Sequence, residues 1–402
     1  MKYVIIIPDG MADTGGSTAM MTAKKPFMDM LARRSVCGYI KTVPDGVVPE
    51  SAPANLSILG YDPRIYSKGR APLEAVSMGL EMRAADTALR CSVVTLSEEP
   101  REYARKVIID HSADEITTEE ASELIKALDG QLGNSARRFY PGVSYRHCLL
   151  WENCPQYGEF TGPHDILGQV IGDYLPSKET SGEFLDLMER SFEIMNSHPV
   201  NTARRNKGLR PANSIWLWSP GTKPALPPFS LEGTVISAVD LIKGIGICVG
   251  LKAPLVVGAT GTLHTNYKGK ANAAIDALKN GDEFVFVHIE APDECSHRGE
   301  AENKVKAIEF IDDQIVQPIY EYLKTSGYSY RIAILPDHAT PISTRTHSGE
   351  PVPFLIYDSE KKVSSGIENF NEASVKSNSD IYIEQGHDFI KILTGEHGAF
   401  KI

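Results

Sequence analysis

Three aspartates and three histidines occur in a pattern that could bind metal ions. Asp9, Asp293 and Asp337 each directly follow a proline, close to the end of an apolar run. His297 lies four residues after Asp293, and His338 directly follows Asp337. Carboxylate and imidazole ligands together suit zinc or manganese better than calcium or a metal held by thiolates. The residue types therefore predict a zinc or manganese site.

The spacing of these residues predicts that two ions share the site. If residues 293–297 are helical, Asp293 and His297 lie on the same face of the helix. A third histidine, His347, follows in a glycine-containing loop. Three aspartates and three histidines are enough for two ions in one site, an arrangement that phosphatases use. The alternative, that these are unrelated turn residues, is disfavoured because the same aspartate pattern recurs at three predicted strand ends.

Ser51 is the candidate nucleophile. Residues 48–63 are interpreted as a loop, a short helix that starts at Pro53, and a stop at Gly60. Ser51 would then precede a helix N-terminus, where free N–H groups favour an anion. Coordination by a metal ion would make its hydroxyl easier to deprotonate. The alternative is a serine that only caps the helix, which by itself is the commoner role.

Parallel strands must bring these residues together. Tyr3–Ile7, Phe284–Ile289 and Tyr330–Leu335 are continuous apolar runs, typical of strands in a parallel sheet that is covered on both faces. In open α/β sheets, ligands bind at the carboxyl ends of the strands, which is where the three aspartates follow. The apolar spacing of residues 302–324 predicts a crossover helix between the last two of these strands.

The middle of the chain is interpreted as an inserted domain. Its predicted strands are shorter, it carries all three tryptophans, and the proline-rich segment 220–228 is a candidate hinge. We expect an α/β core domain of residues 1–65 and 232–402, with a mostly parallel sheet and helices on both faces. A smaller α+β domain of residues 66–231 is expected between the two parts.

The composition of the 402-residue chain argues against several classes of protein. A net charge of −11 disfavours binding to a nucleic-acid backbone, which needs a basic face, although a few clustered Arg and Lys can still bind a small anion. None of the six cysteines forms a C-x-x-C pair, so neither a disulfide framework nor a zinc–thiolate site is indicated. The apolar runs are too short for a signal peptide or a membrane span. We expect a cytoplasmic protein without a membrane partner; its oligomeric state cannot be predicted.

Sequence motifs occur along nearly the whole chain. They are Pro8–Asp13, Ser51 with Ala54–Pro63, Gly69–Ala75, Pro141–His147, Pro163–Gly168, Gly208–Asn213, Gly258–Gly261, Thr265–Lys270, Ala291–Asp293 with His297, and Pro336–His338 with His347. Together they resemble one enzyme family, the archaeal-type cofactor-independent phosphoglycerate mutases of the alkaline phosphatase superfamily. The resemblance implies an alkaline-phosphatase-like core. It also implies interconversion of 3-phosphoglycerate and 2-phosphoglycerate in glycolysis and gluconeogenesis, without bisphosphoglycerate as a cofactor.

The resemblance further implies two sets of metal ligands. Manganese is the expected ion, and zinc, cobalt or magnesium are alternatives because Asp/His sites accept several divalent ions. Ser51 would take the phosphoryl group from 3-phosphoglycerate and return it to the other hydroxyl of glycerate. Water must be excluded, since it would hydrolyse the phosphoserine, and the inserted domain is expected to act as a lid. One ion would be held by Asp9, Ser51, Asp337 and His338, and the other by Asp293, His297 and His347.

Basic residues are required to bind the phosphate and carboxylate of such a substrate. Arginine is the better bidentate partner, and lysine acts as a point charge. The alternative for each is a surface residue in a solvated ion pair. The candidates are Arg70, Arg146, Arg210 and Lys270, with His164 and Asp165 as possible proton carriers for the glycerate hydroxyls.

Two segments depart from the family pattern. Glu50-Ser51-Ala52 stands where Gly-Ser-Asp is usual, which adds a negative charge and removes a carboxylate beside the nucleophile. His297-Arg298-Gly299-Glu300 stands in place of His-Asp-Gly-Asp. These changes leave two alternatives open. One is a phosphatase, or a phosphomutase that acts on another metabolite, and the other is a catalytically silent metal-binding homologue.

Overall fold

The computed structural model describes residues 1–396, which divide into two compact units. Unit 1 consists of Met1–Ser67 and the chain from Ala225 onward, and unit 2 is Lys68–Pro224. Both ends of the chain therefore build unit 1. Within the described part of the chain, no helix combines the length and the apolar character that crossing a membrane requires.

The strands were numbered in chain order across both units. They are β1 (Lys2–Pro8), β2 (Ser35–Ile40), β3 (Asp86–Leu96), β4 (Ile108–Asp110), β5 (Arg137–Tyr140), β6 (Arg146–Glu152), β7 (Ser214–Thr222), β8 (Gly233–Ile236), β9 (Phe284–Ile289), β10 (Tyr330–Ile334), β11 (Val352–Asp358) and β12 (Tyr382–Ile383).

The helices were numbered in the same way. They are α1 (Ala19–Thr22), α2 (Pro26–Ala32), α3 (Ser51–Ile58), α4 (Pro63–Tyr66), α5 (Ala71–Ser77), α6 (Thr118–Leu132), α7 (Lys178–Asn196), α8 (Pro199–Asn206), α9 (Asp240–Cys248), α10 (Tyr267–Lys279), α11 (Ala291–His297), α12 (Ala301–Ile311), α13 (Gln317–Thr325), α14 (Glu372–Asn378) and α15 (Phe389–Thr394). Single 3₁₀ turns lie at Tyr103–Arg105, Pro163–Ile166, Ile171–Tyr174 and Gly386–Asp388, and a π turn lies at Asp312–Val316.

The sheet of unit 1 has seven strands in the order β12-β2-β11-β10-β1-β9-β8. β1 pairs in parallel with both β9 and β10, and β8 pairs in parallel with β9, whereas β11 runs antiparallel to β10 and β2. The expected α/β fold with a mostly parallel sheet is confirmed. The three strands that precede the aspartates are neighbours, so their carboxyl ends lie side by side.

The crossover predicted at residues 302–324 is helical but not continuous. It consists of α12, the π turn and α13, and it carries the chain from β9 over β1 to β10. The buried Asp312 begins the π turn and accepts hydrogen bonds from the backbone N–H groups of Phe27 and Met28. The crossover is therefore tied to α2 at the point where its helical hydrogen bonding changes.

Unit 2 is built on an antiparallel sheet. β3 is its centre and pairs with β4, β6 and β7, and β5 pairs with β6. One face of β3 and β6 is buried with apolar residues of α6 and α7, among them Leu124, Leu128, Phe184 and Met188. This unit therefore has a hydrophobic core of its own.

Residues 225–231, which sequence reasoning places in the inserted domain, pack in unit 1. The ring of Phe229 lies 4.6 Å from that of Phe284 on β9, and the Phe229 N–H donates to the carbonyl of Val249. The carbonyl of Pro227 accepts a hydrogen bond from the Tyr61 hydroxyl. Because this segment is rich in proline, its sequence is typical of a linker and does not indicate that Phe229 packs against the core.

Candidate active site

The three aspartates meet at the carboxyl ends of β1, β9 and β10. Asp9, Asp293 and Asp337 are each at most 5% exposed. Gly10 allows this close approach, because its φ is +61° and a Cβ there would lie 2.6 Å from Asp293 Oδ1. Its N–H donates to Asp337 Oδ1. Three carboxylates thus lie together in a buried site.

The first group of candidate ligands is Asp293, His297 and His347. Because α11 spans Ala291–His297, Asp293 and His297 lie one turn apart, with His297 Nε2 3.1 Å from Asp293 Oδ2. His347 Nε2 lies 3.0 Å from His297 Nε2 and 3.5 Å from Asp293 Oδ1. The hydrogen bond with Asp293 raises the pKa of His297 to about 9 in the absence of an ion. Three ligand atoms therefore converge on one point.

The second group surrounds Asp9. His338 Nε2 lies 3.4 Å from Asp9 Oδ1, 3.6 Å from Asp337 Oδ2 and 3.2 Å from Ser51 Oγ. Asp337 is oriented by Asn55, whose Nδ2 donates to Asp337 Oδ2. The four residues that the family resemblance assigns to one ion are thus adjacent.

The charge of this group fits a divalent cation. Burial, together with the negative charges of Asp337 and Asp293, raises the pKa of Asp9 well above its usual range. Asp9 Oδ1 is buried, and no hydrogen-bond partner for it occurs within residues 1–396. A cation would offset the repulsion and satisfy this oxygen, and zinc and manganese both bind carboxylate and imidazole.

Ser51 lies at the N-terminus of α3, but the helix begins earlier than predicted. Its first residue is Ser51 rather than Pro53, because the backbone becomes helical directly after the extended Glu50. The Ser51 N–H is therefore one of the N–H groups that a helix leaves free. All residues of α3 from Ala52 to Ile58 are buried, so Ser51 is its partly exposed end.

Three of the candidate histidine ligands make the same kind of contact, and this contact determines which ring nitrogen carries the proton. In each, Nδ1 lies 2.9–3.1 Å from an oxygen, which leaves Nε2 directed at the carboxylates. Thr340 Oγ1 also donates to Asp293 Oδ1, so it can only accept from His338. Such contacts are typical of metal-binding histidines. The pairs are His297 with the carbonyl of Arg345, His338 with Thr340 Oγ1, and His347 with the carbonyl of Pro49.

Lys270 lies in unit 1, beside these groups. It is fully buried on α10, and its Nζ donates to the carbonyl of His288 at the end of β9. Burial lowers its pKa to about 8, against the opposing effect of Glu290 and Asp9. The sequence analysis gave His288 no role. Its position near the end of an apolar strand could have indicated that it has a polar partner.

A cluster of cations lies in unit 2. Arg90 Nε lies 2.9 Å from Glu74 Oε2, and its guanidinium stacks on the ring of Trp218 at 4.0 Å. Burial lowers the pKa of Arg90, and the charges of Arg70 and Arg146 lower it further. Arg70 and Arg146, which were both predicted, therefore lie close enough to Arg90 for their charges to affect it. Arg90 itself was not predicted, because nothing in its local sequence sets it apart from other arginines.

His164 and Asp165 belong to the same region. They lie in the 3₁₀ turn Pro163–Ile166, with His164 Nε2 3.5 Å from Asp165 Oδ1. The His164 ring lies 5.3 Å from the ring of Trp218, which also stacks on Arg90. Arg210 is placed differently: its Nη1 lies 2.7 Å from Asp110 Oδ2 and 3.2 Å from Asp114 Oδ1.

Known proteins match this chain over its whole length. A model of the family 2,3-bisphosphoglycerate-independent phosphoglycerate mutase matches residues 32–201. A protein of that name from Methanosarcina barkeri is 47% identical over 403 residues, which cover 98% of this chain and 99% of the relative. The chain belongs to the 2,3-bisphosphoglycerate-independent phosphoglycerate mutases. A probable mutase of this family from Geobacter sulfurreducens is 43% identical over 98% of this chain and 99% of its own.

Solved structures have the same fold. A protein from Pyrococcus horikoshii matches with a TM-score of 0.80 at 27% identity and covers 100% of this chain and 99% of its own. The cofactor-independent phosphoglycerate mutase of Thermoplasma acidophilum matches with a TM-score of 0.63 at 24% identity, over 98% of this chain and 99% of its own. The solved structures confirm the fold, and the relatives described above confirm the family membership expected from the motifs.

Three of the four departures from the mutase pattern, all except Glu50, have local explanations. Arg298 is paired with Glu294 one turn earlier at 3.0 Å, so the added positive charge beside His297 is balanced at the surface. Glu300 forms the N-cap of α12 and accepts a hydrogen bond from Asn303. Ala52 is buried in α3, where a carboxylate would need its own partner.

Proposed function

We propose that this chain interconverts 3-phosphoglycerate and 2-phosphoglycerate, in glycolysis and gluconeogenesis in the cytoplasm, with Ser51 as the carrier of the phosphoryl group. The observation that supports this most is the position of Ser51. It is the first residue of α3, and its hydroxyl lies 3.2 Å from His338 Nε2, beside the carboxylates of Asp9 and Asp337. A serine hydroxyl at a helix N-terminus among candidate metal ligands favours a phosphoryl-transfer reaction, and the similarity of the chain to named mutases favours isomerisation over hydrolysis.

Two divalent ions, with manganese as the expected one, belong to this proposal. Bound there, they would supply positive charge to the serine oxygen and to the transferred phosphoryl group. Asp9, Ser51, Asp337 and His338 would hold one ion, and Asp293, His297 and His347 the other.

The reaction consists of two transfers in opposite directions. Ser51 Oγ forms a bond to phosphorus while the bond from phosphorus to the substrate oxygen breaks, and the proton of Ser51 ends on the released glycerate hydroxyl. Glycerate then reorients, and its other hydroxyl takes the phosphoryl group back as Ser51 regains a proton. His164 and Asp165 are proposed to carry these protons, because they adjoin each other and His164 adjoins the cation cluster.

Unit 2 is proposed to bind the substrate and to keep water out. Arg70, Arg90 and Arg146 supply the charge for its carboxylate, and Lys270 supplies a buried charge in unit 1. Arg210 is left out of the proposal, because Asp110 and Asp114 already hold it.

An assay coupled to enolase tests the proposal. With manganese present, the wild type should convert 3-phosphoglycerate, Ser51→Ala should lose turnover, and Ser57→Ala in the same helix should keep it. Mass spectrometry of quenched enzyme should detect phosphate on Ser51. Release of free phosphate faster than isomerisation would instead indicate a phosphatase. Bound metal without turnover or phosphoserine would indicate a silent homologue.

A further inference from the structure

His288 is a buried histidine that none of the expected ligand sets uses. It belongs to β9, in which all six residues are buried, and it is itself 0% exposed. Its Nε2 lies 3.1 Å from Asp9 Oδ2, yet it makes no aligned hydrogen bond to any residue in the described part of the chain. A buried polar nitrogen of this kind needs a partner to offset its loss of hydration.

The other nitrogen of His288 follows the pattern of the three expected ligands. His288 Nδ1 lies 3.3 Å from Ser237 Oγ, and Ser237 Oγ is fixed in turn by the N–H of Val239. When Nδ1–H donates to Ser237, the lone pair of Nε2 faces the carboxylate of Asp9. Two electron-rich atoms at this distance repel each other unless a proton or a metal cation lies between them.

Asp9 presents its two oxygens to two histidines. Oδ1 faces His338 at 3.4 Å, and Oδ2 faces His288 at 3.1 Å. One ligand atom each from Asp9, His288 and Asp337 lie within 4.8 Å of one another, close enough for all three to hold one ion.

We infer that His288 Nε2 is a further ligand of the ion that Asp9 and Asp337 hold. The inference rests on the two-ion site of the proposed function. It adds a fifth protein ligand to that ion, supplied by a strand of the sheet. Ser237 acts as the residue that fixes the orientation of the imidazole.

X-ray absorption of the wild-type protein loaded with zinc tests this without a mutation. Four histidines shared by two ions give about 2 imidazole nitrogens per ion, whereas three give about 1.5. A measured value of about 1.5, or a third ion per chain by elemental analysis, would overturn the inference.

Variants provide the second test, with calorimetric titration of manganese into metal-free protein. His288→Asn should weaken one of the two binding events at least tenfold, and Ser237→Ala should weaken the same event by a smaller factor. The matched control is His147→Asn in unit 2, which removes another buried histidine whose Nε2 is unpaired in the described structure. Circular dichroism of the metal-free proteins verifies that each variant is folded.

The outcomes separate the two proposals. If His288→Asn binds both ions with wild-type affinity, the additional ligand is wrong while the two-ion site stands. If the wild type binds no divalent ion, the proposed function fails first.

Discussion

A single hydroxyl joins the two groups of candidate metal ligands. Thr340 Oγ1 donates to Asp293 Oδ1 and accepts from His338 Nδ1, so it contacts one residue of each group. The carbonyl of Pro49 similarly connects His347 to the segment that carries Ser51. The candidate ligand side chains are therefore held by one another, which favours a site organised before the substrate arrives.

Arg90, which the sequence analysis missed, and Arg210, which it proposed, differ in what they contact, and this difference predicts different effects of mutation. Arg90 has one carboxylate partner, Glu74, whereas Arg210 has two. Arg90→Gln should raise the KM for 3-phosphoglycerate roughly tenfold or more, because a hydrogen bond from a charged group contributes about 1.5–3 kcal/mol. Arg210→Gln should leave the KM unchanged, because its guanidinium is already engaged by Asp110 and Asp114. Steady-state kinetics on both variants is the measurement, and an equal rise in KM for Arg210→Gln would contradict the assignment.

The candidate metal ligands could be picked out in the sequence because their signals are local. An aspartate after an apolar strand, and a histidine four residues or one residue later, are visible in the sequence without knowledge of the fold. Arg90 has no such local pattern, because what sets it apart is its contact with Trp218 on another strand. His288 does stand in an apolar strand, but the sequence does not show that Asp9 lies beside it. The ion pairs of Arg210 could not be predicted from the sequence either, because its carboxylate partners lie some 100 residues earlier in the chain.

At the scale of elements, the π turn between α12 and α13 contains an aspartate that links the turn to α2 and that changes its protonation state within an accessible pH range. Asp312 is buried and accepts two backbone hydrogen bonds from α2, but burial still raises its pKa to about 6. The folded protein therefore retains the Asp312 proton at a pH where the unfolded chain has lost it. The stability that this group contributes is present below pH 3.8 and is lost as the pH rises to about 6.

Asp312→Asn should reduce this pH dependence. The loss of unfolding free energy between pH 4 and pH 6 should shrink in the variant, by at most about 3 kcal/mol, since asparagine has no proton to release. Urea titrations of metal-free protein at several pH values measure it. Asp313→Asn, at the exposed neighbouring position, is the control and should follow the wild type. Parallel curves for Asp312→Asn and the wild type would contradict the prediction.

The elements that were predicted well are those with unbroken apolar patterns. β1, β9 and β10 match their apolar runs within one residue at each end. The start of α3 was misplaced because Pro53 is a strong helix-start signal, whereas the extended backbone of Glu50 is not visible in the sequence. Residues 225–231 were misplaced because their prolines conceal the packing of Phe229.

At the scale of the whole molecule, the candidate ligands all belong to unit 1, whereas unit 2 has its own core. Manganese should therefore stabilise the units unequally. At a concentration one hundred times its Kd, an ion stabilises the structure that binds it by about 2.7 kcal/mol. Hydrogen exchange followed by mass spectrometry should show slower exchange in β1, β9 and β10 after manganese is added, and unchanged exchange in β3 and β6. Equal slowing in both sheets would contradict this.

The insertion of unit 2 also sets the order in which the molecule can assemble during its synthesis. β1 is made first, but its sheet partners are β9 and β10, which end at Ile334. At about 5–20 residues per second, the ribosome needs roughly 15 seconds to a minute to reach them. Unit 2 is completed in that interval, from a continuous stretch of chain. The apolar segment of β1 therefore remains without its sheet partners while unit 2 folds. We expect this exposed segment to be the part of the nascent chain that most needs protection from aggregation.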